Sequence, residues 1–167
     1  MESQSINQPQ SASVAYRPVG PADGVFLLEL YAGTRADEMA MVPWTDEQQQ
    51  AFVKMQYTAQ QAHYREKFPT ASHEIILADG SAVGHRYVAR LEQEIRIVDI
   101  TVMASERNRG IGTLLLRELL DEGKGAGKVV TIYVENFNPS LLLFERLGFR
   151  QVEEHGVHLL MEWSPAS

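Results

Sequence analysis

Apolar positions along the chain recur with two periods, and the period changes mark the elements. Val14 to Val19 alternates and reads as a short strand, stopped by Pro18, Gly20 and Pro21. From Ala22 to about Ala40, Phe26, Leu27, Leu30 and Tyr31 make one apolar helical face. Thr45-Asp46-Glu47-Gln48 fits a capping box and opens a second helix, which Pro69 stops after Lys67. Phe52, Met55, Ala59 and Ala62 form its predicted core stripe. Gln56, Gln60, His63 and Lys67 form a second stripe about a quarter-turn away. That polar stripe reads either as a solvated flank or as the wall of a substrate cleft.

His73 to Leu91 reads as a hairpin, because Asp79-Gly80 is a strong turn pair between two β-rich runs. Gly84 inside the second run predicts a bulge or a close backbone approach. Glu94 to Met103 is the next strand. Ile95 and Ile97 share a face, and Ile100 and Val102 take the other unless a bulge resets the register. Asp99 is a carboxylate among Ile and Val. A helix follows from Ile111 to about Glu122, with Ile111, Leu115 and Leu119 inward and Gly123, Gly125 and Gly127 ending it. Lys128 to Glu135 is a strand. Asn138 and Pro139 stand at cap and first position of a helix that Gly148 stops. A last hairpin turns at His155-Gly156.

This order predicts one α/β domain with a mixed central sheet, spanning residues 14–167, after a polar tail at 1–13 expected to be disordered. The 167 residues suffice for a substantial core. A formal charge of -7 argues against general nucleic-acid binding, which needs a basic field, and is compatible with a cationic substrate. The chain has no cysteine, which excludes disulfides, thiolate metal sites and an acyl-cysteine intermediate. No apolar run approaches a membrane span and the N-terminus lacks a signal pattern, so a cytoplasmic protein with no membrane partner is expected. No metal is expected.

The run Ile97 to Thr113 carries the clearest chemistry: an apolar strand, a polar loop Arg107-Asn108-Arg109-Gly110-Ile111-Gly112, and a helix start. Glycine lets another molecule approach the backbone closely, and the first N–H groups of a helix lack intrahelical acceptors at the positive end of its dipole. Such a junction suits phosphate or pyrophosphate, or is an ordinary strand-to-helix turn.

This loop resembles the [Q/R]-x-x-G-x-[G/A] loop of the GNAT superfamily of N-acetyltransferases. About 25 residues further on, Asn138-Pro139-Ser140-Leu141-Leu142-Leu143-Phe144-Glu145-Arg146-Leu147-Gly148-Phe149 resembles that family's N-P-A-x-x-L-Y-E-x-L-G-F helix. The element order from Val14 to Trp163 fits as well. The resemblance implies a mostly antiparallel sheet of about seven strands with strands 4 and 5 parallel and splayed. It implies acetyl-CoA as donor and an amine of a small molecule or peptide as acceptor, attacking directly. The pyrophosphate is then expected on the backbone from Asn108 to Thr113, beside Arg107 and Arg109. Ile100, Thr101 and Val102 are expected to pair with the pantetheine arm, with Asn138 and Phe144 beside it, and a backbone N–H near Val102 would meet the oxyanion. The acceptor side would carry Tyr31, Arg35, Gln56, Gln60 and His63. A homodimer through the terminal strands is a further expectation.

One position departs from the pattern. Many relatives carry a tyrosine acid where this chain has Phe144, which has no proton to give. Tyr133 is the candidate replacement, and a plain sheet residue is its other reading. Arg96 falls near where some relatives carry a basic glutamate, so that role does not transfer. Asp99, Glu29, Glu74 and His73 remain candidate bases by chemistry, with Asp99 first. The alternative to an enzyme is a catalytically weak, GNAT-like protein that binds acyl-CoA or regulates.

Overall fold

A computed structural model describes residues 13–107 and 109–165. The expected disordered tail therefore falls almost wholly outside the described residues, as does Asn108 of the glycine loop. The elements are β1 (Val14–Pro18), α1 (Gly24–Ala40), α2 (Asp46–Lys67), β2 (Ser72–Ala78), β3 (Ser81–Arg90) and β4 (Glu94–Val102). They continue as α3 (Ile111–Ala126), β5 (Val129–Glu135), α4 (Leu141–Arg146), β6 (Arg150–His155) and β7 (His158–Trp163). Local chemistry sets many of these ends. Thr45 Oγ1 accepts the Gln48 N–H at 3.1 Å while Gln48 Oε1 accepts the Thr45 N–H at 2.9 Å, closing the capping box before α2. Asp79 and Gly80 both have positive φ, 51° and 86°, as the tight turn between β2 and β3 requires.

The seven strands lie in the order β1-β2-β3-β4-β5-β7-β6. Only β4 and β5 are parallel, and they pair from Glu94↔Val129 to Ile97↔Ile132. Just beyond that point, β4 changes register against β3: Val88 faces Ile97 but Tyr87 faces Asp99, so Val98 is an extra residue. Such a bulge bends its strand and reverses the alternation that follows it. Ile100 and Val102 therefore return to the face of Ile95 and Ile97 and pack under α3 with Leu115 and Leu116. Asp99 is turned to the opposite face, which α1 and α2 cover through Leu27, Leu30 and Tyr57.

Three details differ from the sequence reading. First, α3 continues through Gly123 and Gly125, and only Gly127 (φ 69°) takes the left-handed conformation that stops it. Gly123 stays helical, and a Cβ there would lie 2.9 Å from the Lys128 carbonyl oxygen, so packing rather than a helix stop calls for glycine. Second, α4 begins at Leu141; Asn138 Oδ1 instead accepts the Ser140 N–H at 2.8 Å, bracing the turn ahead of the helix. Third, α2 does not bury Met55, Ala59 and Ala62. It buries Val53 and Gln61 and half-buries Gln56, Tyr57, Gln60 and Tyr64, while Met55 is 59% exposed. The inward face of α2 is built of Tyr and Gln, so its apolar residues do not trace it. Among the described residues, no helix is long and apolar enough to cross a membrane.

At Gly84 the backbone of β4 leaves no room for a side chain: a Cβ there would sit 2.3 Å from the Thr101 carbonyl oxygen. Backbone cannot yield as a flexible side chain can. Gly84→Ala is therefore expected to lower unfolding free energy in urea by about 1–3 kcal/mol. Gly125→Ala, where a Cβ meets nothing within 4 Å, is expected to raise it by about 0.5–1 kcal/mol through helix propensity.

Candidate functional site

Where β4 and β5 part, a cleft of about 1090 Å³ opens between the two strands, the start of α3, the segment leading into α4, and helices α1 and α2. Its two halves are made differently.

One half is chiefly backbone. Gly110 precedes α3 in the left-handed conformation, φ 76°. Leu114 N–H reaches back to the Gly110 carbonyl at 3.0 Å, so the amides of Ile111, Gly112 and Thr113 lead it at the positive end of the helix. A Cβ added at Gly110 or at Gly112 would meet nothing within 4 Å, so open space stands before both glycines. Gly110, Ile111, Gly112, Thr113, Arg107 and Arg146 all line the cleft, as do Ile100, Thr101 and Val102 from β4. Asn138 and Phe144 close its side. Phe144 is also core, 7% exposed, with its ring centroid 5.4 Å from that of Phe149. Arg109 does not line the cleft. Its guanidinium is held by Glu106 Oε1 at 2.5 Å and Asp79 Oδ2 at 3.2 Å, so its charge is already paired.

The other half is made of side chains. Asp99 lines the cleft with Tyr31, Arg35, Tyr57, Gln60 and His85. Asp99 Oδ1 accepts from Thr101 Oγ1 at 3.2 Å, and His85 Nε2 lies 3.3 Å from Oδ2. Burial pushes the Asp99 pKa up, but His85, Thr101 and His73 outweigh it and hold the carboxyl below the usual carboxylate range. His73 Nε2 is 2.9 Å from His85 Nδ1. Burial and the neighbouring His85 depress the His73 pKa to about 4, against opposing pulls from Asp99 and Asp23. Aromatic rings crowd around: Tyr31 with Tyr57 at 5.6 Å, Tyr64 with Tyr87 at 5.5 Å, and His73 stacked on Tyr87 at 4.4 Å. Arg35 donates to Tyr31 Oη at 3.2 Å and pairs with Glu38 at 2.9 Å.

Several sequence candidates are not brought here. Tyr133 lies outside the cleft, 40% exposed, with the Arg96 guanidinium 5.0 Å over its ring. It follows the last residue that β5 pairs with β4, and its ring lies 6.1 Å from that of His155. Gln56 turns inward, its Oε1 buried as that of Gln60 is, but it does not line the cleft, and His63 is on the exposed side of α2. Glu29 is exposed, and Glu74 is paired with Arg86 at 2.8 Å. Sequence reasoning missed His85, Tyr57 and Tyr64. Counting back from the Asp79-Gly80 turn places His73 and His85 on adjacent strands, but a register shift in each of the β2–β3 and β3–β4 pairings defeats a plain count to Asp99. Among the described residues, no group of three or more His, Cys, Asp or Glu is arranged to hold a metal ion.

The site thus joins a splayed parallel pair to a glycine-cleared helix start at its mouth. The family model described as Acetyltransferase (GNAT) family matches residues 34–149. The chain belongs to the GNAT acetyltransferase family. Solved structures share the fold at low identity. A PaiA N-acetyltransferase from Thermoplasma acidophilum in complex with coenzyme A is 17% identical, with 91% of this chain and 99% of that chain covered and a TM-score of 0.67. A GNAT family acetyltransferase from Elizabethkingia anophelis with acetyl-CoA bound is 15% identical, with coverage of 90% and 97% and a TM-score of 0.58. Arabidopsis thaliana Naa50 in complex with the bisubstrate analogue CoA-Ac-MVNAL is 17% identical, with coverage of 91% and 99% and a TM-score of 0.58. No curated protein sequence matches the chain.

The depressed His73 pKa links folding to pH. Between about 4 and the ordinary 6.5, the unfolded chain binds a proton that folded His73 refuses. Its contribution to stability is therefore complete above pH 6.5 and is lost as pH falls toward 4. Asp99 adds a loss only below its ordinary 3.8. Urea unfolding across this range is expected to show declining stability, and His73→Phe is expected to flatten the decline.

Proposed function

We propose that the protein is an acetyl-CoA-dependent N-acetyltransferase acting on a primary amine of a small molecule or peptide, by direct attack with both substrates bound. The observation that carries this reading is one cleft with two opposite ends. Open space before Gly110 and Gly112 suits a pyrophosphate, and across the strand parting an anionic Asp99 stands among tyrosines. The coenzyme A, acetyl-CoA and bisubstrate complexes of related folds support the same assignment.

Ile111, Gly112 and Thr113 would hold the pyrophosphate through their amides, with Gly110 and Gly112 giving clearance. Arg107 and Arg146 supply positive charge at this half, whereas Arg109 serves the loop's own ion pairs. Asn108 is carried by the sequence pattern. Ile100 to Val102 form a strand edge left without β5 as its neighbour, able to pair with an extended arm as an added strand would. Asn138 and Phe144 wall the same arm. Bound acetyl-CoA supplies an activated thioester. Tyr31, Arg35 and Gln60 shape the acceptor's approach to it, and holding both partners in one cleft supplies proximity. With no cysteine in the chain, transfer does not pass through an acyl-cysteine.

A second reading, acyl-CoA binding without turnover, is favoured by Phe144, a hydrocarbon ring where many relatives carry a proton donor. Acetyl-CoA at 100 times Kd is expected to stabilise the fold by about 2.7 kcal/mol, which raises Tm by about 5–10 °C. Thiol release with at least one member of an amine panel supports the enzyme, stabilisation without thiol release supports the second reading, and no stabilisation overturns both. Gly112→Val is expected to weaken coenzyme A binding at least about 10-fold, or about 1.4 kcal/mol, while Tm without ligand holds. Gly112 is the cleaner site for this test, because any side chain at Gly110 would also strain its positive φ.

A further inference from the structure

Asp99 heads a row of ionisable side chains contributed by three adjacent strands. His85 of β3 stands behind it at 3.3 Å, and His73 of β2 behind that at 2.9 Å. The His85 side chain is 7% exposed, and His73 is fixed against Tyr87 with ring planes 21° apart. An ionised carboxylate only accepts hydrogen bonds, so His85 Nε2 carries its proton toward Asp99. His85 Nδ1 shares a hydrogen bond with His73 Nε2, so the second histidine holds the ring of the first in place, and the first stabilises the charge of the carboxylate. The acetyltransferase reading has no use for either histidine otherwise.

We propose, resting on that reading, that His85 and His73 are positioning residues that keep Asp99 permanently ionised. Asp99 is then the counter-charge that selects an acceptor arriving as an alkylammonium ion. A carboxylate held below its usual range binds a cation well and takes a proton poorly, so its part is recognition rather than general-base work, and the ammonium gives its proton to solvent in the open cleft before the neutral amine attacks. The rest of the acceptor half agrees. Tyr57 stands in the same half as an aromatic surface beside the carboxylate, while the Tyr31 ring already holds the Arg35 guanidinium, 5.3 Å from its centroid. The competing cation in that half, Arg35, is neutralised by Glu38.

The groups facing Asp99 can be named element by element. His85 and Tyr87 face it from β3, His73 from β2 and Thr101 from β4. Tyr57 and Tyr64, whose phenols burial and then Asp99 push up, face it from α2 with Arg65 beyond them. Tyr31 and Arg35 face it from α1. Asp23 acts on His73 and is itself bound to Arg17 at 2.9 Å. Burial raises the phenols of Tyr57 and Tyr64, so they bring no charge at neutral pH, and the two histidines with Thr101 govern the Asp99 carboxylate.

The test joins an ionisation measurement to a comparison of amines. Carbon-13 NMR of the Asp99 carboxyl is expected to show it ionised down to below pH 4 in the native protein and to titrate at least one pH unit higher in His85→Leu. His85→Gln, which returns an N–H donor, is expected to restore most of the difference. His73→Phe, which keeps the ring on Tyr87 but has no N–H, is expected to give a smaller rise. With acetyl-CoA saturating at pH 7, His85→Leu is expected to raise KM for a primary alkylamine at least 10-fold with kcat within 3-fold. KM for an arylamine, uncharged at that pH, is expected to change less than 2-fold. Equal effects on both amine classes, or an Asp99 titration unmoved by His85→Leu, overturn the inference. Failure of the native protein to acetylate any amine overturns the underlying function instead, and the NMR titration still decides whether the histidines hold the charge.

Discussion

Four residue pairs join β4 to β5, and then the two strands separate. Everything distinctive about the molecule depends on that separation. A parallel pair hydrogen-bonded along its full length would leave neither an entry between the strands nor a free strand edge at Ile100 to Val102. The extra residue Val98 is part of its physical basis, because a bulge bends its strand and twists it away from its neighbour. The same residue reverses the alternation, which sends Ile100 and Val102 into the core beneath α3 and leaves Asp99 on the other face. One inserted residue thus both opens the cleft and chooses what lines it.

The two halves of the cleft answer different physical needs. A phosphate group, the occupant proposed for the loop half, needs several donors at close range and tolerates little steric bulk; a helix start with glycine suits both demands, with Arg107 and Arg146 also lining the cleft. Arg109 illustrates the economy, since its charge goes to Glu106 and Asp79, where it ties the loop to the β2–β3 turn. The acceptor half faces the harder problem of keeping a carboxylate ionised in a partly enclosed, aromatic setting. Desolvation alone would neutralise it. Hydrogen bonds from Thr101 and His85, backed by His73, reverse that outcome.

The donor half was legible in the sequence because backbone binding leaves a local trace. Gly110 caps α3 and Gly112 lies in its first turn, and the resemblance of the segment from Asn138 supplied the frame. The acceptor half was largely hidden. Asp99 drew notice as a carboxylate in an apolar strand, yet its partners His85 and His73 sit on other strands, beyond register shifts that period-two counting cannot foresee. On α2 the inward face is Val53 with Tyr57, Gln60, Gln61 and Tyr64, chiefly Tyr and Gln, so the search for apolar periodicity selected Met55 and Ala59 on the wrong side. Tyr133 was suggested by its chemistry alone, and its place in the sheet put it under Arg96 instead.

By itself, the sequence determined what neighbours along the chain can settle. It set the order of the elements, the capping box at Thr45, the positive-φ turn at Asp79 and Gly80, and the cleared helix start at Gly110. Each of these is a contact within a few residues, and residue type alone selects its backbone conformation. Tertiary structure decided which side chains face one another across the parted strands. It turned Arg109 away, drew Gln60 and Tyr57 in, and aligned His73, His85 and Asp99. Those outcomes hang on strand register and helix rotation, which only the packed core fixes.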